Sequence, residues 1–265
     1  MLNLFRAQWY RLVRNRAFWG LLAVFGVLVF LFVIQVDEQS VREGVYRNFP
    51  ALGGAPEGVG VTMDVEAVLG QFWVPQLLLA FVGMLSASFF GDDFRYVGVR
   101  SLDVMLGFRW RYVGSAVLII VVIALFFLAA ASFVAWLALL PNPVMSVGLS
   151  GGRFLRWGLL LVVISLVYAM AALAVVAATN RAGLGIIAFF LLVGVLPDAL
   201  LQLASGWLSA FQGPIAAVVS ALPSAQLGQL SAEGFTPVAT DVLMLLPWLA
   251  VAVAGCSLVM RHKRL

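Results

Sequence analysis

The chain has 265 residues, of which 63% are hydrophobic and 11% charged, with a formal net charge of +4. A soluble globular domain carries about 25% charged residues, so this composition excludes one and points to a chain embedded in a bilayer. The single cysteine, Cys256, and the single histidine, His262, exclude an intrachain disulfide and a metal or haem centre built on clustered His and Cys.

Met1–Arg16 is basic and carries an apolar stripe, Leu2, Phe5, Trp9 and Leu12, spaced 3, 4 and 3. Arg6, Arg11 and Arg14 sit off that stripe, the pattern of an amphipathic helix lying in the interface before the chain enters the membrane. Positive-inside anchoring without further function is the competing reading. The first span is expected over Ala17–Val36, since roughly 20 apolar residues cross a bilayer as a helix. No small-residue cleavage site precedes Asp37, which favours an uncleaved span over a secretory signal. Asp37–Gln71 reads as an acidic outer loop with Gly53, Gly54, Pro56, Gly58 and Gly60 at its turn-rich centre, too short for a core of its own. Val61–Leu69 is expected to make one or two helical turns.

A second span covers Phe72–Phe90 and a third Val113–Leu139. Between them lies GDDFRYVGVRSLDVMLGFRWRY, Gly91–Tyr112, which holds four basic and three acidic residues between long uncharged runs. A fourth span, Trp157–Thr179, and a fifth, Ala182–Leu203, are separated only by Asn180 and Arg181, which implies a helical hairpin. In Ala204–Asp241 the apolar run Gly206–Leu222 is broken by Gly213 and Pro214, and Pro223 and Pro237 follow, so it does not span. Backbone without regular structure at membrane depth must be buried in protein or line a cavity. A re-entrant hairpin and a surface-lying helix both satisfy that rule here. The last span covers Val242–Met260.

Basic residues orient the chain. With the N-terminus inside, twelve of the sixteen Lys and Arg residues fall in cytoplasmic segments. Arg153 and Arg156, on the outer side, are exceptions without a specific explanation. Trp19 and Trp110 fall near inner ends, and Trp73, Trp136, Trp157 and Trp207 near outer ends, where amphipathic rings favour the headgroup level. The expected fold is therefore a single all-α transmembrane domain over 1–265 with six transmembrane helices and both termini cytoplasmic, in the cell membrane.

The missing chemistry is equally informative. There is no GxxxxGK[ST] phosphate loop, and Lys263 is the sole lysine, so this chain does not hydrolyse nucleotide by that route. Ionisable groups inside spans mark proton relays and ion sites in pumps. The span interiors carry none except Asp198, near an outer end, which reads either as a substrate contact or as a carboxylate reaching water. A transporter of this composition needs power from a partner. Ala171, Ala174 and Ala178 suit close helix packing.

This arrangement resembles the permease subunits of type-2 ATP-binding-cassette exporters. In that family a basic amphipathic start runs into the first span. A cytoplasmic segment after the second span reads acidic–aromatic–basic–x–Gly–Thr, then an apolar stretch, then Ser–Arg. Here DFRYVGV at Asp93–Val99, LDVML at Leu102–Leu106 and FRWRY at Phe108–Tyr112 carry the likeness. Asp93 stands for the usual glutamate, Gly98 for the glycine and Arg109 for the arginine. Val99 departs from the usual threonine, and Ser115 stands near where a lysine is common.

The resemblance implies a non-catalytic subunit that pairs with a second permease copy or a sister chain. Beneath it a separate cytoplasmic ATPase binds ATP and Mg. No cofactor belongs to this chain, and no nucleic acid is a partner. The ATPase would dock on the 91–112 loop, with Asp92, Asp93, Arg95, Arg100, Asp103 and Arg109 as a charged rim and Val104, Met105 and Leu106 as its apolar centre. The second and fifth spans would flank the substrate path, with Gln76, Ser86, Ser88, Asp198 and Gln202 as candidate contacts. A self-sufficient channel or secondary carrier, and a non-transporting binding or immunity protein, are the alternatives. The first would need buried ionisable or half-helix sites.

Overall fold

The computed structural model describes residues 2–34, 61–64, 68–70, 74–95, 108–140, 145–148, 151–195, 222–223 and 239–262. In chain order they form α1 (Leu2–Arg14), α2 (Arg16–Ile34), β1 (Val61–Asp64), α3 (Val74–Arg95), α4 (Phe108–Leu139), β2 (Met145–Gly148), α5 (Gly151–Thr179), α6 (Ala182–Phe190, continued by a π-helical turn Leu191–Val195) and α7 (Ala239–His262). Among the described residues, five helices are long and apolar enough to cross a membrane: α2, α3, α4, α5 and α7. α6 and its π turn form a shorter apolar helix, Ala182–Gly194. The chain is thus an all-helical, multi-pass membrane protein in its described part, apart from one small ribbon. The remainder of the expected fifth span, and nearly all of the 204–241 segment, lie outside the described residues.

The ribbon corrects one expectation. Val61–Asp64 is a strand rather than a helical turn, paired in parallel with Met145–Gly148 in the register Val61↔Met145 to Asp64↔Gly148. β-branched Val61 and Thr62 favour that conformation over helix. Helix is found just beyond it, at Val68–Gly70.

Helix ends overrun the boundaries that hydropathy suggests. α3 continues through Gly91–Arg95, and α4 begins at Phe108 rather than Val113. Neither Asp92–Arg95 nor Arg109–Tyr112 contains a breaker, so the backbone ladder continues after the apolar composition stops. α4, at 32 residues, is about 48 Å long, well over the roughly 30 Å hydrocarbon thickness. The α1–α2 junction is a single residue, Asn15, whose Oδ1 accepts the Ala17 N–H at 2.9 Å as an N-cap. Asn180 adopts φ 57°, the left-handed conformation that ends many helices, and it makes the expected hairpin between α5 and α6.

α5 is the central helix. It packs against α3, α4, α6 and α7, with residues such as Leu160, Ile164, Tyr168 and Leu173 buried along its length. Trp157 is also buried, stacked on Phe154, so it serves the bundle rather than an interfacial belt. Trp19, Trp110 and Trp136 are exposed as a belt requires. α2, α3 and α4 meet at Phe25, Phe81 and Phe127, whose ring centroids lie 5.0–5.9 Å apart. Such pairs contribute about 0.5–1.5 kcal/mol each beyond their area burial.

α6 packs closely against α3 and α5. A Cβ on Gly83 would lie 2.3 Å from the Phe189 ring, and one on Gly91 would lie 2.4 Å from Ala182 Cβ. A Cβ on Gly185 would meet Val176 at 2.2 Å and Ala87 Cβ at 3.5 Å. Gly83, Ala87 and Gly91 therefore form one small-residue face, spaced by four, against Ala182, Gly185 and Phe189 running the opposite way. The alanines singled out from the sequence contribute less: Ala171 and Ala174 are half-buried and Ala178 is exposed.

Candidate functional site

The site lies where α1, the end of α3 and the start of α4 converge, at the end of the bundle opposite the ribbon. α3 keeps its helical period past the apolar run. Val82, Ser86, Phe89 and Asp93, spaced 4, 3 and 4, share one face, and Asp92 falls off it. Asp93 is accordingly turned inward, its side chain 11% exposed, whereas Asp92 is exposed.

Both Asp93 oxygens are engaged. Oδ1 accepts from Arg11 Nη1 in an ion pair, and Oδ2 accepts the Tyr112 hydroxyl at 2.9 Å. Arg11 Nη2 also donates to the Phe89 carbonyl at 3.2 Å, and its guanidinium lies 4.6 Å above the Phe89 ring. Phe90 and Phe94 pack edge-on against Tyr112 at 6.2 and 6.0 Å. Three helices separated in sequence are thereby tied through one carboxylate. A partly desolvated, charge-assisted hydrogen bond is about twice as strong as a neutral one.

Part of the apolar stripe of α1, Phe5, Trp9 and Leu12, packs against the bundle. Leu12 is fully buried, and Trp9 meets Phe126 of α4 at 5.9 Å. Arg6, Arg11 and Arg14 remain exposed, and Arg14 lies 4.5 Å over the Tyr10 ring.

The expected docking residues separate into three groups. Asp93 faces inward and Asp92 outward; Arg95 ends α3 and Arg109 lies in the first turn of α4. Arg100, Asp103, Val104, Met105 and Leu106 lie outside the described residues. Of the path candidates, Gln76 is half-buried, Ser86 buried and Ser88 exposed, while Asp198 and Gln202 lie outside the described residues. Ser86 Oγ, like Gln8 Oε1, is buried with no hydrogen-bond partner among the described residues. The hydroxyls of Ser132, Ser165 and Ser257 instead donate to carbonyls one turn back.

The chain matches no family model and no curated protein. Among the described residues no group of three or more His, Cys, Asp or Glu side chains is placed to hold a metal ion. Tyr112 is the member of the site that sequence reading overlooked. Its signal was an aromatic hydroxyl at a span end, within one helical turn of Arg109 and Arg111, facing an acidic helix end.

Proposed function

We propose that this chain is the permease subunit of an ATP-driven exporter of the type-2 ATP-binding-cassette kind. Its spans form the substrate path, and the segment between α3 and α4 docks a separate cytoplasmic ATPase that supplies ATP and Mg chemistry. In this reading six spans leave both termini in the cytoplasm, and the permease pairs with a second copy or a sister chain in the cell membrane.

The three-way tie at Asp93 is the observation that carries it. Residues 96–107 connect two helices whose facing ends are bound to each other and to α1. A push on that connection therefore reaches three helices together. The tie also divides the acidic pair by role. Asp92, exposed, is left for the partner; Asp93 transmits within the permease. Support for an external power source comes from the described spans, which carry no Asp, Glu, Lys, Arg or His away from their ends.

The test is co-purification from native membranes in mild detergent, with wild type beside Asp92→Arg and Asp93→Asn. The expectation is that a phosphate-loop ATPase accompanies wild type and is lost with Asp92→Arg. With Asp93→Asn it should stay bound while ATP-dependent export fails. If wild type brings down no ATPase under conditions that preserve a control complex, the reading is wrong.

A further inference from the structure

We infer that the furrow between α2 and α4 seats one acyl chain of an anionic phospholipid, with the lipid phosphate held by Arg14 and Arg16 at the furrow's inner mouth. This inference uses the N-terminus-inside orientation and is independent of the exporter reading.

The furrow has a volume of about 490 Å³ and is lined by residues including Trp19, Ala23, Gly26 and Phe30 of α2 and Ala130 and Val134 of α4. It is open because Ala23, Gly26 and Ala130 are small; even at its narrow point a Cβ on Gly26 would only reach ordinary contact with Val134, at 3.6 Å. Its size lies within the range of about 300–1,000 Å³ typical of small-ligand sites. Among the described lining residues the one side-chain polar group, the Trp19 indole N–H, donates to the Val13 carbonyl at 2.7 Å. The described lining therefore offers a polar guest no free side-chain group and suits hydrocarbon.

Its length matches a single leaflet. From Trp19 to Phe30 along α2 is roughly 16 Å, against about 15 Å for half the hydrocarbon thickness. The same indole hydrogen bond holds the inner mouth against the α1–α2 junction, where Arg14 and Arg16 flank Asn15 and are both exposed. Arg14 belongs to an exposed row, Arg6, Tyr10 and Arg14, spaced by four on α1. No acidic residue lies in the first turn of α2. Asp93 is already engaged by Arg11. Charge complementarity then selects an anionic headgroup over a zwitterionic one.

The full chain is placed in phosphatidylcholine nanodiscs containing either brominated phosphatidylglycerol or brominated phosphatidylcholine as a tryptophan quencher. Subtracting the signal of Trp19→Phe isolates Trp19. Juxtamembrane arginines favour anionic lipid by about fivefold each, so Trp19 should be quenched at an on the order of 30-fold lower mole fraction of the phosphatidylglycerol. Arg14→Gln with Arg16→Gln should abolish that preference. So should Ala23→Phe, which fills the furrow from an exposed position and leaves the arginines in place. Equal quenching by both lipids, or a preference that survives both variants, overturns the inference. It is equally overturned if Trp19 is shielded from both lipids until the assembly is diluted to monomers, for then a second copy covers the furrow.

Discussion

At the scale of residues, Asp93 is worth more than its charge. Hydrogen bonds to charged groups contribute about 1.5–3 kcal/mol, and Asp93 accepts from both Arg11 and Tyr112 in a partly desolvated place. Arg11 is 48% exposed, so water screens part of the ion pair. We expect Asp93→Asn to lower stability by about 1–3 kcal/mol, and Arg11→Gln by about 1 kcal/mol or less. A double-mutant cycle on this pair, read by thermal unfolding in detergent, should give a coupling of about 0.5 kcal/mol or more. A coupling of zero would show that α1 is not held through this contact. The sequence made the charges conspicuous but not their directions. A stretch read as one docking loop, with Asp92 and Asp93 on the same charged rim, has no inside, whereas the 4, 3, 4 spacing from Val82 to Asp93 carries the buried face of α3 onward to the carboxylate.

Among elements, the α3–α6 contact is sensitive to side-chain size. Gly83→Ala must displace the Phe189 ring, and overpacking of this kind costs about 1–3 kcal/mol. Gly183, the residue after Ala182 on the same helix, has nothing within 4 Å of its would-be Cβ. Gly183→Ala should therefore be neutral or slightly stabilising, since alanine is the better helix former. Comparing the two melting temperatures checks the claim, and equal shifts would refute it. Helix existence and order were readable from apolar run length, because a bilayer imposes that length. Helix ends were less so, because hydropathy reports where lipid stops and not where the hydrogen-bond ladder does. The packing partners were hidden for another reason. Small residues are abundant in this chain, and complementarity between two stripes cannot be seen in either one alone.

For the whole molecule, the β1–β2 pairing and the Asp93 tie fix opposite ends of the bundle, since β1 precedes α3 and β2 follows α4, while the tie joins α3's last turn to α4's first turns. Gly151, exposed at the start of α5, shares the ribbon's end, and Arg181, exposed after α5, shares the other. In a Cys256→Ala background, Gly151→Cys should react with an impermeant maleimide on intact cells. Arg181→Cys should react only after permeabilisation, and the reverse result would invert the orientation. One consequence concerns α4. Its Phe127 is gripped between Phe25 and Phe81, partway along an otherwise uninterrupted helix. A rigid rod clasped near its middle rocks about that point. The arm from Tyr112 to Phe127 is roughly 22 Å and the arm from Phe127 to Leu139 roughly 18 Å. Were α4 to turn as a rigid rod about Phe127, a sideways swing of about 2 Å at Tyr112 would appear at the ribbon end as roughly 1.6 Å in the opposite sense.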